Sequence, residues 1–278
     1  MKELSVFIST MLIGLPAVGA DHPALKFGTP DTGRIIEKGK YAFSYDGRLK
    51  SARWVAEHLT KDSLKDTPGV IRRNSFFEEP DAPAEFRATK KDYEGSGFDR
   101  GHLAPAANYR LTQEDNDESF VLSNMSPQQG PGFNQHYWKF LEMAIRKLAE
   151  RDNVKEIFVV TGPLFMPANA PKPGKERDHP LVVAYMLIGN NHIPVPTHYF
   201  KAVLAVGTDD KKKMWAFILP NDKIPSKTPI KEYAVPTDYL EHWAGFDLWS
   251  KLDDVEEDEF ESKSRKPWVE TLPTSENQ

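Results

Sequence analysis

The chain of 278 residues contains no cysteine. That absence excludes disulfides and thiolate chemistry, and it leaves only oxygen or imidazole nitrogen to hold a metal. Long apolar runs are missing too. The mostly apolar, uncharged stretch from Leu4 to Leu15 is shorter than the roughly 20 residues a bilayer span needs. It follows Lys2 and precedes the small residues Val18 and Ala20. The pattern predicts a secretory signal over residues 1–20, cut after Ala20, and therefore a secreted or periplasmic protein. A mitochondrial leader would carry arginine, and this segment has none. No internal repeat is present.

A large excess of one charge is also lacking: the formal net charge is −5. Residues 253–278 hold nine acids and three bases, a net of −6, which leaves the remainder near +1. Residues 251–278 therefore read as an acidic, disordered tail. The body has no broad basic face to steer a polyanion. Phosphate binding would fall to a few arginines within the local clusters "GRLKSAR", "IRRN" and "RATKK". A hydrophobic content of 39% supports a sizeable core, and one domain is expected over residues 21–250.

Asp46-Gly47 between two alternating runs signals a hairpin. "EIFVVTGPLF", "PLVVAYMLIG", "THYFKAVLAV" and "KMWAFILP" read as strands, and "SFVLSNMSP" as a short strand running into a turn. "PTDYLEHWAG" predicts a late helix with Thr237 as its cap. The strongest helix is Asn134 to Arg151. At about 100° per residue, Tyr137, Phe140, Leu141, Ala144, Ile145 and Leu148 form one apolar face. Asn134, Trp138, Glu142 and Arg146 form a neighbouring stripe. Strands adjoining strands with few helices between predict an α+β fold with a mostly antiparallel sheet.

The segment "FDRGHLAPAANYR", Phe98 to Arg110, is unlike a core strand: it combines a carboxylate, two guanidiniums, a glycine and an imidazole with little apolar periodicity. Arg100 and Arg110 suit bidentate contact with phosphate. Gly101 permits close backbone approach, and Asp99 suits local backbone bonding or an arginine. His102 can take a proton from water near neutral pH. Downstream, Asn124 and Asn134 bracket the turn "MSPQQGPGF" that feeds the helix. Each residue also has an ordinary structural role open to it: turn chemistry for the asparagines, helix capping for Asn134, and an i,i+4 ion pair for Glu142 with Arg146.

Together "GSGFDRGHLAPAANYR", "FVLSNMSPQQGPGFNQHYWKFLE", "VVTGPLF", "GNNHIPVPTHYFK" and "FILPN" resemble the DNA/RNA non-specific endonuclease family, particularly its endonuclease G branch, from about Tyr41 to about Gly245. The resemblance implies the ββα-metal nuclease fold, with a central, mostly antiparallel sheet flanked by helices. It assigns the general base to His102, the metal-ligand asparagine to Asn134, and a supporting asparagine to Asn124. Glu142 and Arg146 become the glutamate and arginine of the site helix, and Arg100 the motif arginine. An upstream phosphate-contacting arginine falls on Arg72 or Arg73, with Arg73 the first choice.

The activity implied by the resemblance is that of a Mg²⁺-dependent, sugar-non-specific endonuclease, with Mn²⁺ as an alternative ion. It would act on DNA and RNA through the backbone and leave 5′-phosphate ends. The resemblance further implies a homodimer. His102, to act as a base, should have its other ring nitrogen held by a backbone carbonyl. Two other functions fit the same letters: a catalytically silent nucleic-acid-binding protein on this scaffold, and a phosphodiesterase for smaller substrates.

Overall fold

The computed structural model describes residues 22–175, 182–252 and 266–269. The expected export signal lies outside them, as does most of the acidic tail.

Long runs of β-branched and aromatic residues build the centre of the molecule. Strands β1 (Arg34–Glu37), β2 (Tyr41–Asp46) and β3 (Ser51–Leu59) form an antiparallel meander, with the expected turn after Asp46. Strands β4 (Phe98–His102) and β5 (Met125–Gln129) pair with each other outside the main sheet. Then come β6 (Val154–Leu164), a short ladder of β7 (Leu187–Ile188) with β8 (Ile193–Pro194), and finally β9 (His198–Gly207), β10 (Lys212–Pro220) and β11 (Ala234–Val235). The seven-stranded sheet has the order β1-β2-β3-β6-β9-β10-β11, and every neighbouring pair is antiparallel.

Among the described residues, four α-helices accompany the strands: α1 (Lys90–Tyr93), α2 (Gln113–Glu118), α3 (Lys139–Ala149) and α4 (Thr237–Ala244). Both faces of the sheet are covered, which is why its central strands read as nearly continuous apolar runs. On one face, Phe43, Val55, Val159, Val203 and Phe217 pack against Leu141, Ile145 and Leu148 of α3 and against Leu103. On the other, Trp54, Phe158, Val160, Leu204 and Met214 pack against Leu240 of α4 and Leu248. The central antiparallel sheet flanked by helices agrees with the expected α+β class. The β4–β5 pair followed by α3 is the ββα unit that the site needs.

Several local expectations need correction. "FDRGH" is a strand after all. Its lack of apolar periodicity follows from its place outside the main sheet, where only one neighbour, β5, supplies a ladder. "SFVLSNMSP" reverses the expected order: a 3₁₀ turn, Leu122–Asn124, comes first and the strand begins at Met125. Within "PLVVAYMLIG" only Leu187–Ile188 is strand among the described residues, and Val182, Tyr185, Met186 and Leu187 are exposed. The helix beginning at Asn134 is α-helical only from Lys139. The span before it, Gly130–Trp138, is of the wider π type and contains a kink at Pro131 and Gly132, the latter with φ of +93°. Steps of 100° therefore do not apply there, and Trp138 is fully buried rather than on a polar stripe. Thr237 is the first residue of α4 rather than its cap, and its hydroxyl meets Met214 Sδ at 3.1 Å. The expectation of a tail disordered throughout fails at residues 266–269: Trp268 packs edge-on against Trp215 and Phe217 and donates to the Ala144 carbonyl at 3.2 Å.

Gly101 faces Ser126 across the ladder and has the Gln128 side chain against it. A Cβ there would overlap the side chain of Gln128, which is fully buried. Gly101→Ala should destabilise the fold by about 1–3 kcal/mol through overpacking, measurable as a lower urea midpoint with an unchanged slope.

Candidate active site

Strand alternation places Arg100 and His102 on one side of β4 and Asp99 and Gly101 on the other. The register Asp99↔Gln128 brings Asp99 to the turn that opens the site helix. There its Oδ2 accepts from Asn134 Nδ2 at 2.8 Å and from Gln135 Nε2 at 2.9 Å. A carboxylate accepts only, so it selects the nitrogen end of the Asn134 carboxamide. Asn134 is half-buried, and its Oδ1 accepts no hydrogen bond among the described residues. Asp99 is thus an orienting partner of Asn134, not of an arginine.

Asn124 is fully buried and uses its whole amide. Its Oδ1 accepts from the Ala104 amide at 2.9 Å, and its Nδ2 donates to the carbonyls of Ala104 at 2.9 Å and Ser119 at 2.8 Å. The Leu103 amide also donates to the Asn124 carbonyl at 2.9 Å. Asn124 therefore clamps the two residues that follow His102 and faces no substrate itself.

His102 ends β4 and is only 8% exposed. Neither ring nitrogen makes a hydrogen bond among the described residues, and Nε2 is buried. The backbone carbonyl expected to hold the ring is not its partner. Aromatic contacts set the ring instead: Phe120 lies edge-on at 4.9 Å and Phe76 tilted at 6.3 Å. Each of those rings also carries a guanidinium, Arg72 over Phe120 at 4.9 Å and Arg100 over Phe76 at 4.7 Å. Two aromatic faces thereby bring two cations beside one imidazole. Burial, reinforced by Arg72, pushes the His102 pKa down to about 3, so the ring is neutral at ordinary pH.

Of the "IRRN" pair, Arg72 and not Arg73 turns to the site. Arg72 Nε donates to Asn74 Oδ1 at 2.8 Å, and Asn74 takes the left-handed conformation that asparagine tolerates, with φ of +53°. Arg73 pairs with Asp117 at 2.8 Å. Arg110 is likewise engaged elsewhere, with Asp66 at 3.0 Å.

Glu142 and Arg146 lie on α3 without forming the i,i+4 ion pair. Arg146 Nη1 reaches Asn108 Oδ1 at 3.4 Å. Burial raises the Glu142 pKa to about 7 against the pull of Lys201, Arg146 and Arg72, with Glu57 adding to the rise. Arg72 thus acts electrostatically on both His102 and Glu142, which gathers the three around one cleft.

A second layer lies beneath and was missed in the sequence. Glu57 Oε1 accepts from Asn108 Nδ2 at 2.8 Å and from Tyr109 Oη at 2.6 Å. Lys201 Nζ donates to Thr161 Oγ1 at 3.0 Å and to the Leu103 carbonyl at 3.4 Å. Glu57 and Lys201 are each 1% exposed. A signal existed: Glu57 in "SARWVAEHL" and Lys201 in "THYFKAVLAV" are charged letters at core-facing positions of otherwise buried strands.

The chain is similar over most of its length to known proteins. The DNA/RNA non-specific endonuclease family model matches residues 18–255. Nuclease C1 of Cunninghamella echinulata var. echinulata is 45% identical over 231 residues, covering 82% of this chain and 88% of its own length. Mitochondrial endonuclease G of Caenorhabditis elegans is 39% identical over 241 residues, covering 85% and 75%. A crystal structure of the EndoG/EndoGI complex, concerned with EndoG inhibition, superposes with a TM-score of 0.77 at 36% identity, covering 84% of this chain and 92% of that one.

The chain belongs to the DNA/RNA non-specific endonuclease family, with the ββα-metal nuclease fold. It is a metal-dependent endonuclease that acts on nucleic acid, which sets aside the silent binding protein. The expectation of a secreted or periplasmic protein is overturned. The endonuclease G relatives of Caenorhabditis elegans and Bos taurus and a nuclease of Saccharomyces cerevisiae, all matching most of this chain, are mitochondrial. The export reading rested on a short apolar stretch followed by small residues, a pattern with little physical specificity.

Arg72→Ala should lower nuclease activity by about 100-fold, the scale of losing one charge-stabilising donor. Arg73→Ala should stay within about threefold, because an exposed ion pair such as Arg73–Asp117 contributes little. Initial rates on plasmid DNA check both.

Proposed function

We propose that this enzyme hydrolyses the phosphodiester bonds of DNA and RNA with Mg²⁺, or Mn²⁺ in its place, to leave 5′-phosphate ends. His102 is the general base and Asn134 the protein ligand of the ion. The reading places all of this in one nuclease domain over residues 21–250. The observation that carries it is the buried, unpartnered Nε2 of His102 beside Arg72 and Arg100, on the strand whose Asp99 orients Asn134.

The donor set suits a hydrated hard ion. Asn134 offers one neutral carboxamide oxygen, and among the described residues no group of three His, Asp or Glu side chains converges to cage a metal. An ion held so sparsely must keep most of its waters, as Mg²⁺ does. When bound, it supplies positive charge to the phosphoryl group and to the departing oxygen in the transition state.

The protein side chains do the rest. Arg72 and Arg100 hold phosphate oxygens and place the scissile group against His102. His102, neutral, takes the proton of the attacking water at its free ring nitrogen. Burial is the larger cause of the low His102 pKa and Arg72 the smaller; phosphate beside Arg72 offsets the smaller part, so substrate binding raises the basicity of His102. Contacts to phosphate alone carry no base information, which supports action on both DNA and RNA. Asn124 keeps the backbone after His102 from moving.

Wild-type protein should degrade plasmid DNA and RNA with Mg²⁺ and stop on chelation. His102→Ala should cut the rate by about 100- to 10,000-fold without altering the circular dichroism spectrum. Undiminished cleavage by His102→Ala, or in excess chelator, would oppose the assignment. The reading also includes a homodimer, supported by the exposed apolar side chains Val182, Tyr185, Met186 and Leu187. Sedimentation at micromolar concentration should give about twice the chain mass, and a single species of one chain's mass would refute it.

A further inference from the structure

The inner face of the sheet, where it meets β4 and α3, is apolar except at Glu57, Thr161 and Lys201. Alternation puts all three on that face, on the consecutive strands β3, β6 and β9, with Thr161 directly opposite Lys201. Three polar groups in so small an area of a packed interface call for a reason, because each costs free energy to bury.

Lys201 carries the largest cost. Its ammonium is buried and has no carboxylate within ion-pair distance among the described residues. It has three neighbours instead. Thr161 Oγ1 accepts at 3.0 Å from within the sheet. The Leu103 carbonyl accepts at 3.4 Å, and Leu103 is the residue after His102. The Trp138 ring lies 4.5 Å below the ammonium, and Trp138 sits between Asn134 and Glu142 on the site helix. One cation therefore touches both chain segments that carry the site, the end of β4 and the start of α3. Other polar contacts tie the sheet to neighbouring stretches, Glu57 to Asn108 and Tyr109 and the Tyr199 hydroxyl to the Pro127 carbonyl. None of these reaches Leu103 or Trp138, whose remaining contacts with the sheet are apolar and have no preferred direction.

We propose that Lys201 is a positioning residue of the nuclease: its ammonium fixes the Leu103 carbonyl and the Trp138 ring, and so sets His102 relative to Asn134 and Glu142. This rests on the nuclease reading of that site. Lys201 touches no substrate. It acts through the backbone after His102, to which Asn124 is bonded from the other side. It also faces Glu142, together with Glu57 from β3, Arg146 from α3 itself and Arg72 from the preceding loop. Of these, Lys201 exerts the largest pull toward the ionised form.

Lys201→Met keeps the length of the side chain and removes its charge and hydrogen bonds. Purified full-length variant should fold, with wild-type circular dichroism and a cooperative melt. On plasmid DNA with Mg²⁺ its kcat should fall by about 10- to 100-fold, the scale of a misplaced catalytic group, with KM within about twofold of wild type. The acid limb of its pH profile should move to higher pH, because Glu142 ionises less readily without the cation. Thr161→Val removes only the hydroxyl that steadies Nζ, and should lower kcat by about three- to tenfold at constant KM.

A folded Lys201→Met with wild-type kcat and acid limb, or with a loss confined to KM, overturns the proposal. Should Lys201→Met fail to fold, Thr161→Val decides: reduced kcat at constant KM supports the proposal and unchanged kcat overturns it. His102→Ala run alongside separates the two ideas. If that variant cleaves as wild type, the nuclease reading of the site fails whatever Lys201 does. If His102→Ala is inactive and the other variants are normal, only the role of Lys201 fails.

Discussion

The five-residue ladder between Phe98–His102 and Met125–Gln129 is the constraint on which the site depends. It is short and lies outside the main sheet, yet it has two consequences. At its open end it delivers Asp99 to the kinked turn before α3, where Asp99 takes the nitrogen of Asn134 and leaves the oxygen without a hydrogen bond among the described residues. At its closed end it leaves His102 beside Leu103 and Ala104, which Asn124 grips from the residue just before β5. The fully buried side chain of Gln128 fills the space that a Cβ at position 101 would take. Side chains separated by more than thirty positions in the chain thus share one small unit, and their relative placement is a matter of backbone hydrogen bonds rather than of flexible side chains.

Around that unit, cost and benefit of burial are distributed unevenly. His102 and Glu142 both occupy surroundings that disfavour charge, and their pKa values move in opposite directions for that reason. Cations stand at the rim of the cleft, where Arg72 and Arg100 rest on Phe120 and Phe76, and below it, where Lys201 and Arg146 face the carboxylates. Aromatic rings carry both guanidiniums, and neither makes an ion pair with a carboxylate among the described residues, although Glu142 acts on Arg72 at longer range. With a net charge of −5, the chain has no broad basic surface, and the guanidiniums of Arg72 and Arg100 are instead held on the two rings that flank His102.

Much of this is legible in the sequence, and particular residues show where legibility ends. "DRGH" followed by the two asparagines and an amphipathic helix carries the fold and the family, because the order and spacing of such motifs survive in any single sequence. The role of Asp99 is not visible there: it depends on the register that sets it against Gln128, and register is a property of two strands. Arg72 and Arg73 are adjacent and chemically identical, so only the left-handed turn at Asn74 tells which one faces the cleft. Trp138 falls on the wrong face of a helical wheel because π-type turns break the 100° rule. Lys201 and Glu57 read as parts of apolar strands, since a pattern of burial does not say what a buried charge meets on the opposite side. The early apolar stretch misleads about location for another reason: its features are shared by sequences with different destinations.

By itself the sequence determined composition-level facts and local order: no thiol chemistry, an antiparallel sheet covered on both faces, and the identities of the imidazole, carboxamide and guanidinium groups. These follow from near-neighbour physics, in which a residue and those a few places away are enough. The tertiary structure alone decided which arginine reaches the cleft, that aromatic rings rather than a carbonyl hold His102, that Asn124 is a clamp, and that a buried ammonium joins the sheet to both halves of the site. Each of these is a contact between segments tens of residues apart. The free energy of such a contact depends on distance and solvent exclusion, and neither quantity exists until the chain has folded.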